Sequence, residues 1–473
     1  MLQARTGMLL SSSTYFIFLI VLFFLYWPLS RWRAAGLALI LFGNYFFYAK
    51  WDLFYLALIP IASTCDYILA LLIEGSKLQG LRRFYVTLSV LMNLGLLAAF
   101  KYTPFALENW SRVTGQAAPS WQWTFPLGIS FYVFQALTYT IDVFRKDAKA
   151  TSSYLAHLTA VSFFPTTLAG PITRVSTLIS QFEKKDKVLL GPDGGRALFL
   201  IGVGLMKKFL IADYLAENLV NRVFDFPKLY TGAETLIATY GYAFQIYFDF
   251  SGYTDIAIGS ALLLGIKLPI NFNAPYSAHN LSDFWRRWHI SLSNWLRDYL
   301  YFSLPGQRSK VMPYINLVIT MTLGGLWHGP SWNFVLWGLL HGLGQVVVRL
   351  WQIKFGPKPA TSLFWRTLSI LLTFHYVCFT WIFFRSTTWQ GALDILERIG
   401  SFTASFANIS LPLGVVLAVA IFAHYLPKKW YDFSADIYAK SPFFVQAAAM
   451  VALVIAIQYI ATTGSAPFIY VNF

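Results

Sequence analysis

Long apolar segments recur along the whole chain and are separated by short polar stretches. A helix needs about 20 apolar residues to cross the hydrocarbon core of a bilayer, and backbone groups in lipid must hydrogen-bond within their own segment. The pattern therefore predicts an all-α, polytopic transmembrane helical bundle of about 11–13 membrane helices, some of them tilted or re-entrant. The predicted segments are 14–30, 34–49, 53–73, 84–100, 126–144, 154–172, 198–220, 236–266, 311–327, 332–350, 368–384, 413–426 and 443–461.

The polar stretches between these segments are too short to hold a separate folded module. The longest cover 101–122, 181–196, 271–310 and 396–408. Folded domains usually need 50 residues or more, that is, about 50–250. We therefore predict a single membrane-embedded domain over 1–473, in which any chemistry takes place in or against the membrane part.

Composition and charge support the membrane interpretation. Only 12% of the residues are charged and 57% are hydrophobic, whereas soluble domains carry about 25% charged residues. The basic residues behind the net charge of +15 lie mainly in short loops, although Lys207 and Lys208 stand inside a long apolar segment. This placement indicates topology signals and contact with anionic membrane lipid, and we expect no nucleic acid partner. It predicts that the loops at 77–83, 184–196 and 286–310 are cytoplasmic.

The connection at 280–310 has the pattern of an amphipathic or re-entrant helix. Asn280 is typical of a helix N-cap, and Asp283 suits the first turn. Aromatic side chains follow at helical spacing, with cationic residues at the edges, which is typical of an interfacial helix. A simple peripheral helix remains the alternative. Against it stands His289, which lies between tryptophans instead of on the charged edge.

The strongest candidate for chemistry is His328, inside the run Gly324–Gly325–Leu326–Trp327–His328–Gly329. A titratable ring at membrane depth is costly unless it is hydrogen-bonded or faces a wet cavity, so it marks a functional site. The surrounding glycines either permit close helix approach or leave room for a substrate. His341 in the next segment is a possible second member, whereas His157, His375 and His424 are interpreted as structural.

Neutral histidine in a desolvated cavity is suited to general base catalysis. It can accept the proton of a hydroxyl that attacks a thioester carbonyl, with His289, Ser291 or Asn294 as a second group that steadies the oxyanion or positions a reactant. The sequence shows no serine hydrolase elbow, no HExxH motif and no phosphate-binding loop. No third ligand accompanies the histidines at metal-binding spacing, so we predict no metal. Cys65 and Cys378 are interpreted as inert core residues.

Two aspartates in an apolar segment, Asp249 and Asp255, are open to two interpretations. In the first, the aspartate forms an ion pair or a helix cap that locks helices together. In the second, it orients a histidine or binds Arg286 or Arg287. The first is the commoner role of a buried carboxylate.

Several blocks of the sequence resemble the membrane-bound O-acyltransferase family, and in particular the bacterial branch that contains the membrane component of alginate O-acetylation machinery. The resemblance covers nearly the whole chain. It is carried by MLLSSS (8–13), YFFYA (45–49), PLGISFY (126–132), TYTIDVFR (138–145), FFPTTLAGPI (163–172), YFDFSGYTD (247–255), FWRRWHISLS (284–293), WHG (327–329) and PFIY (467–470).

The resemblance implies a ring-like helical bundle that encloses a tunnel, with 126–350 as the catalytic core. It implies that His328 is the essential histidine and that His289 occupies the second catalytic position. It also implies transfer of an acyl group from a cytosolic thioester to a hydroxyl across the membrane, delivered through a separate extracytoplasmic partner of the SGNH-esterase type.

The sequence therefore predicts an O-acetyltransferase of the bacterial inner membrane that modifies an exported or cell-surface polysaccharide such as alginate, cellulose or peptidoglycan. Acetyl-CoA is the expected donor substrate, and no bound cofactor is expected. Arg286 and Arg287 are predicted to meet the donor's phosphates, with Trp285 and Asn294 beside them. The alternatives are D-alanyl transfer to teichoic acid, a transporter or flippase, and a non-catalytic scaffold.

Overall fold

The computed structural model describes residues 8–51, 53–121, 123, 125–184, 188–356 and 362–460. All the regular secondary structure in these ranges is helical, which confirms the predicted all-α membrane fold. The PFIY block at 467–470, and Lys185 and Lys187 of the basic loop at 184–196, lie outside the described residues.

The chain divides into two compact units, Met1–Ile201 with Tyr253–Pro269, and Gly202–Gly252 with Ile270–Phe473. The first contains α1 Ser13–Leu29, α2 Arg33–Ala49, α3 Leu53–Leu56, α4 Leu58–Gly75, α5 Gln79–Leu97, α6 Thr103–Thr114, α7 Ile129–Arg145, α8 Tyr154–Val161, α9 Phe164–Thr167 and α10 Val175–Phe182. Two helices, α11 Gly191–Met206 and α14 Gly232–Leu263, have residues in each unit, because the unit boundaries fall within them. The second contains α12 Asp213–Leu215, α13 Asn221–Asp225, α15 Leu281–Arg287, α16 Ile290–Trp295, α17 Met312–His328, α18 Trp332–Phe355, α19 Leu363–Arg385, α20 Trp389–Gly400, α21 Leu411–Tyr425, α22 Lys428–Lys440 and α23 Phe443–Ile460.

Among the described residues, four helical segments are long and apolar enough to span a membrane by themselves: Leu58–Gly75, Gln79–Thr114, Trp332–Phe355 and Leu363–Arg385. The bent pair α21 and α22 makes a fifth if it counts as one span. Other predicted spans coincide with shorter or interrupted helices. The predicted segment 198–220, for example, contains two π-helical turns, and such turns often mark functional sites.

A buried polar network ties three helices of the first unit together. The Asp66 carboxylate accepts hydrogen bonds from the Ser89 hydroxyl at 2.6 Å and from the Asn93 amide at 3.0 and 3.1 Å. The Ser89 hydroxyl also lies 2.9 Å from that of Thr140 on α7. A polar group buried in apolar surroundings is costly unless it is hydrogen-bonded, so this network stabilises the packing of α4, α5 and α7.

The second unit contains a tight hairpin of α17 and α18, in which glycines serve close packing. A Cβ atom at Gly325 would overlap the Phe334 carbonyl oxygen, and one at Gly338 would overlap the Met321 carbonyl oxygen. Gly329 faces the Phe334 ring in the same way. Of the two roles expected for the glycines near His328, the structure shows close helix approach.

Replacing Gly325 by alanine is therefore expected to separate α17 from α18 and to lower the melting temperature of the detergent-purified protein. The added methyl meets backbone, which has little room to move, and overpacking of this kind costs about 1–3 kcal/mol. Gly95→Ala is the matched control, because nothing lies within 4 Å of its added Cβ. Equal melting temperatures of the two variants would contradict the prediction.

The region expected to form one amphipathic helix from Asn280 onward is broken in two. The Asn280 cap is present, because its side-chain oxygen accepts a hydrogen bond from the Asp283 amide at 2.9 Å. The continuous helix was wrong: α15 ends at Arg287, Trp288 is extended, and His289 has a φ of +42° before α16 begins. The helical spacing of the aromatic residues continues across the break, so the sequence pattern alone does not show it.

Candidate functional site

His328 is the last residue of α17 and is buried, with 3% of its surface exposed. Its ring contacts three aromatic side chains, with centroids 5.0 Å from Trp327, 5.2 Å from Trp337 and 5.3 Å from Phe384. The hairpin turn that follows is fixed by Ser331, which caps α18. His328 is thus held at the end of a rigid helix within an apolar shell, where an electrostatic interaction is stronger than in water.

His289 lies in the break between α15 and α16 and is fully buried. The Phe250 ring packs edge-on against it at 4.7 Å, and its Nδ1 atom lies 3.4 Å from the Asn271 side-chain oxygen. Trp327 contacts both histidines, with its centroid 6.4 Å from His289 and 5.0 Å from His328. The structure therefore brings the two predicted catalytic histidines into one aromatic cluster, which we call the histidine cluster.

His341 belongs to the same cluster and has both ring nitrogens engaged. Its Nδ1 accepts a hydrogen bond from the Trp285 indole at 3.3 Å, and its Nε2 lies 2.9 Å from the Thr380 hydroxyl. Because an indole N–H can only donate, a neutral His341 carries its proton on Nε2. Both bonds fix the ring in place. His341 was a possible second member of the site, and its contacts favour a role in orienting Trp285 over accepting a substrate proton.

A cavity of about 700 Å³ lies beside this cluster. Trp285 belongs to both: it lines the cavity, and its ring lies 5.7 Å from Trp337, which in turn contacts His328. The side chains that line the cavity are Ser282, Trp285, Arg286, Ile290, Ser293, Asn294, Leu296, Arg297, Tyr301, Phe302, Leu317, Thr320, Met321, Gln345, Arg349 and Gln352.

Three exposed arginines, Arg286, Arg297 and Arg349, line this cavity. Arg286 and Arg297 each have a carboxylate neighbour, Asp283 at 3.6 Å and Asp298 at 2.8 Å, but more than half of each side chain stays exposed. The Arg349 guanidinium lies over the Tyr314 ring. Three guanidinium groups at one mouth create a positive potential that attracts phosphate.

Four residues were predicted to bind the donor, and three of them line the cavity: Trp285, Arg286 and Asn294. Arg287 does not line it. Its guanidinium donates instead to the Asp283 carboxylate at 3.1 Å and to the Asn273 carbonyl at 3.3 Å, which holds the loop before α15.

The α18 side of the cavity was not predicted from the sequence. Gln345, Arg349 and Gln352 line it from this helix, and their spacing of four and three residues places them on one face. A polar stripe on one face of an otherwise apolar span was the signal that could have found them. His341 and Arg349, on the same helix, are separated by about 12 Å along the axis, so the cavity mouth and the histidine cluster occupy different depths.

Another missed feature is a buried ionic group around Lys208. Its Nζ atom lies 2.8 Å from an oxygen of Asp213 and 2.8 Å from an oxygen of Asp249, and all three side chains are at least 94% buried. The expected locking ion pair of Asp249 therefore exists. The alternative, in which Asp249 orients a histidine or holds Arg286 or Arg287, finds no support in these contacts.

Comparison with known proteins identifies the family. The profile described as "MBOAT, membrane-bound O-acyltransferase family" matches residues 50–389, which is more than half of the chain. The chain belongs to the membrane-bound O-acyltransferase family. It is therefore an O-acyltransferase, an enzyme that transfers an acyl group to a hydroxyl oxygen.

Two similar proteins are named as acetyl-transferring enzymes. The chain is 35% identical to "Peptidoglycan O-acetyltransferase" of Helicobacter pylori over 398 residues, which cover 78% of this chain and 74% of that protein. It is 38% identical to "Probable alginate O-acetylase AlgI" of Azotobacter vinelandii over 408 residues, or 85% and 79%. A third relative, "Teichoic acid D-alanyltransferase" of Bacillus subtilis, is 30% identical over 284 residues, or 54% and 68%.

For an O-acyltransferase of this family, the arrangement provides the elements that acyl transfer needs. The histidine cluster contains candidate proton acceptors in apolar surroundings, and the adjoining cavity combines arginines with apolar walls. Trp285 connects the two because it belongs to both.

Proposed function

We propose that this protein is a multi-pass O-acetyltransferase of the bacterial inner membrane. In this proposal it takes acetyl from cytosolic acetyl-CoA and transfers it to a hydroxyl of an exported or cell-surface polysaccharide, through an extracytoplasmic SGNH-type partner. The observation that carries the proposal is the cavity of about 700 Å³ with Arg286, Arg297 and Arg349, which shares Trp285 with the cluster that contains His328.

The charge distribution supports a cytosolic donor. Basic residues also follow two of the segments that line the cavity, with Arg308 and Lys310 after the π-helical turn Leu296–Leu300 and Lys354 at the end of α18. Positive loops mark the cytoplasmic side of bacterial membrane proteins. The same side holds acetyl-CoA, whose phosphates match guanidinium groups.

The proposed reaction begins with the acceptor hydroxyl. His328 takes its proton while the hydroxyl oxygen attacks the carbonyl carbon of the acetyl thioester. The tetrahedral intermediate then collapses, the carbon–sulfur bond breaks, and the leaving thiolate takes the proton back from His328. The products are the acetyl ester and free thiol, and the enzyme returns to its starting state. His289 is proposed to steady the oxyanion or to position a reactant.

D-alanyl transfer is the second candidate. The relative named as a D-alanyltransferase matches 54% of this chain, whereas the two named as acetyl-transferring enzymes match 78% and 85%. The longer matches and higher identities favour acetyl as the transferred group. Membership of an acyltransferase family also favours an enzyme over a transporter or a scaffold.

The proposal predicts that membranes containing the protein and its partner transfer label from radioactive acetyl-CoA to polysaccharide. In the triple variant Arg286→Gln, Arg297→Gln and Arg349→Gln, we expect the KM for acetyl-CoA to rise about tenfold or more, since about 1.4 kcal/mol of lost phosphate binding suffices for a tenfold change. The kcat is expected to change little, because the arginines bind the donor away from the reacting carbonyl.

A matched triple variant, Arg83→Gln, Arg112→Gln and Arg366→Gln, removes the same charge from exposed positions that do not line the cavity. It controls for general effects on topology and lipid binding. Movement of labelled substrate across the membrane without ester formation contradicts acyl transfer. An equal rise of KM in both triple variants contradicts the donor site.

A further inference from the structure

The bend at His289 is held by backbone hydrogen bonds to the segment 271–273. The Ile290 amide donates to the Asn271 carbonyl at 2.9 Å, and the Asn273 amide donates to the Arg287 carbonyl at 3.0 Å. These two bonds stabilise the left-handed backbone of His289, a conformation that costs a non-glycine residue about 1–2 kcal/mol. Such strain persists where surrounding contacts enforce it, and it concentrates at functional sites.

The Asn271 side chain is buried in this contact, and its orientation follows from its partners. The Ser291 backbone N–H donates to the Asn271 side-chain oxygen at 3.1 Å. A backbone N–H cannot accept a hydrogen bond, so the atom facing it must be the amide oxygen and not the amide nitrogen. The same oxygen lies 3.4 Å from Nδ1 of His289.

This orientation determines which nitrogen of a neutral His289 carries the proton. Because the Asn271 oxygen accepts only, Nδ1 must be the donor, and the lone pair then resides on Nε2. The His289 ring is fully buried, with Phe250 edge-on against it and Trp327 nearby. Its packing therefore fixes the direction of Nε2 as well as its protonation.

The arrangement leaves a cost that a purely structural contact would avoid. The Asn271 side chain is 1% exposed, and within the described part of the chain its Nδ2 group has no hydrogen-bond partner. An unsatisfied buried donor costs about 1–3 kcal/mol. Asn271 thus keeps its Oδ1 atom on Ser291 and His289, although this orientation leaves its Nδ2 group without a hydrogen bond.

We propose that Asn271 is a positioning residue for acyl transfer. It fixes His289 as the Nδ1–H tautomer and so presents Nε2 as a hydrogen-bond and proton acceptor within the histidine cluster. The proposal rests on the assignment of His289 to the site in the proposed function. Asn271 acts through His289, in the way that carboxylates and carbonyls orient the histidines of other sites.

The first test measures the tautomer and needs no activity. The protein, labelled with ¹⁵N-histidine and embedded in lipid bilayers, is studied by solid-state NMR, and the His289 signals are assigned by their loss in His289→Asn. We expect Nδ1 to be protonated in the wild type and in Asn271→Asp, which keeps an acceptor oxygen. In Asn271→Leu, which has a similar volume and no acceptor, we expect the proton to move to Nε2.

The second test measures acetyl transfer in the same variants. We expect Asn271→Leu to lower kcat about tenfold or more, with the KM for acetyl-CoA unchanged, and Asn271→Asp to retain more activity. Asn273→Leu is the matched control, because it makes the same chemical change two residues away on an exposed side chain. It is expected to behave as the wild type.

The outcomes separate the two proposals. A wild-type tautomer and wild-type kcat in Asn271→Leu would overturn the role of Asn271, whatever the donor is. A loss of kcat without any change of tautomer would also overturn it, because that result indicates a structural role only. A wild type that transfers no acetyl defeats the proposed function, while the NMR measurement still reports on Asn271.

Discussion

Replacing His328 by alanine is expected to abolish acetyl transfer while the protein still inserts and folds. A general base contributes about 10²–10⁴-fold to the rate of proton-transfer chemistry, so kcat is expected to fall by at least about 100-fold. The donor KM is expected to change little, since His328 is not among the cavity-lining residues. Transfer of labelled acetyl to polysaccharide measures both quantities.

Two further variants make this result interpretable. His328→Gln fills most of the space between Trp327, Trp337 and Phe384 and so keeps the packing that alanine removes. His375→Ala is the matched control, because the His375 side chain is exposed. Its Nδ1 atom lies 2.7 Å from the Leu371 carbonyl oxygen of the same helix. Wild-type acetylation by a folded His328→Gln protein would remove His328 from the mechanism.

Replacing Lys208 by methionine is expected to produce the largest loss of stability. The substitution leaves the buried carboxylates of Asp213 and Asp249 without their shared ammonium group. Breaking a buried ion pair by removing one partner costs about 3–5 kcal/mol, a large fraction of the total stability of a typical protein. We expect the melting temperature of detergent-purified protein, followed by tryptophan fluorescence, to fall by more than about 5 °C.

The cause of that loss can be isolated with companion variants. Lys228→Met makes the same change at an exposed position and is expected to melt as the wild type does. The triple variant Lys208→Met, Asp213→Asn and Asp249→Asn removes all three charges, and replacement of a complete buried ion group is often close to neutral. It should recover most of the lost melting temperature. If Lys208→Met and Lys228→Met melt alike, the ionic group does not stabilise the fold.

Local and periodic features of this protein could be predicted from the sequence. The apolar runs predicted an all-helical membrane fold, and Asn280 was identified as a helix cap because capping depends on residues three positions apart. His328 was identified because a titratable ring in an apolar run stands out in a single sequence. Trp285, Arg286 and Asn294 come from one short segment and line one cavity, while their role in donor binding stays a prediction.

Features that depend on distant residues escaped prediction. The break at His289 depends on Asn271, which precedes it by 18 positions, and the aromatic spacing of a helix continues through the break. Lys208 looked out of place in an apolar segment because one of its partners, Asp249, comes 41 residues later. Arg349 joins the cavity from a separate helix, α18. In each case the missing information was a tertiary contact.

The left-handed backbone at His289 also affects which side chains suit this position. Among residues other than glycine, asparagine, aspartate and histidine adopt this conformation several times more often than the rest. Of these, only histidine offers a neutral ring with a donor on one side and a proton acceptor on the other at physiological pH. Alanine at this position therefore removes the ring and strains the chain at once. The backbone geometry at position 289 therefore favours a few residue types, and the chemistry of the ring favours histidine among them.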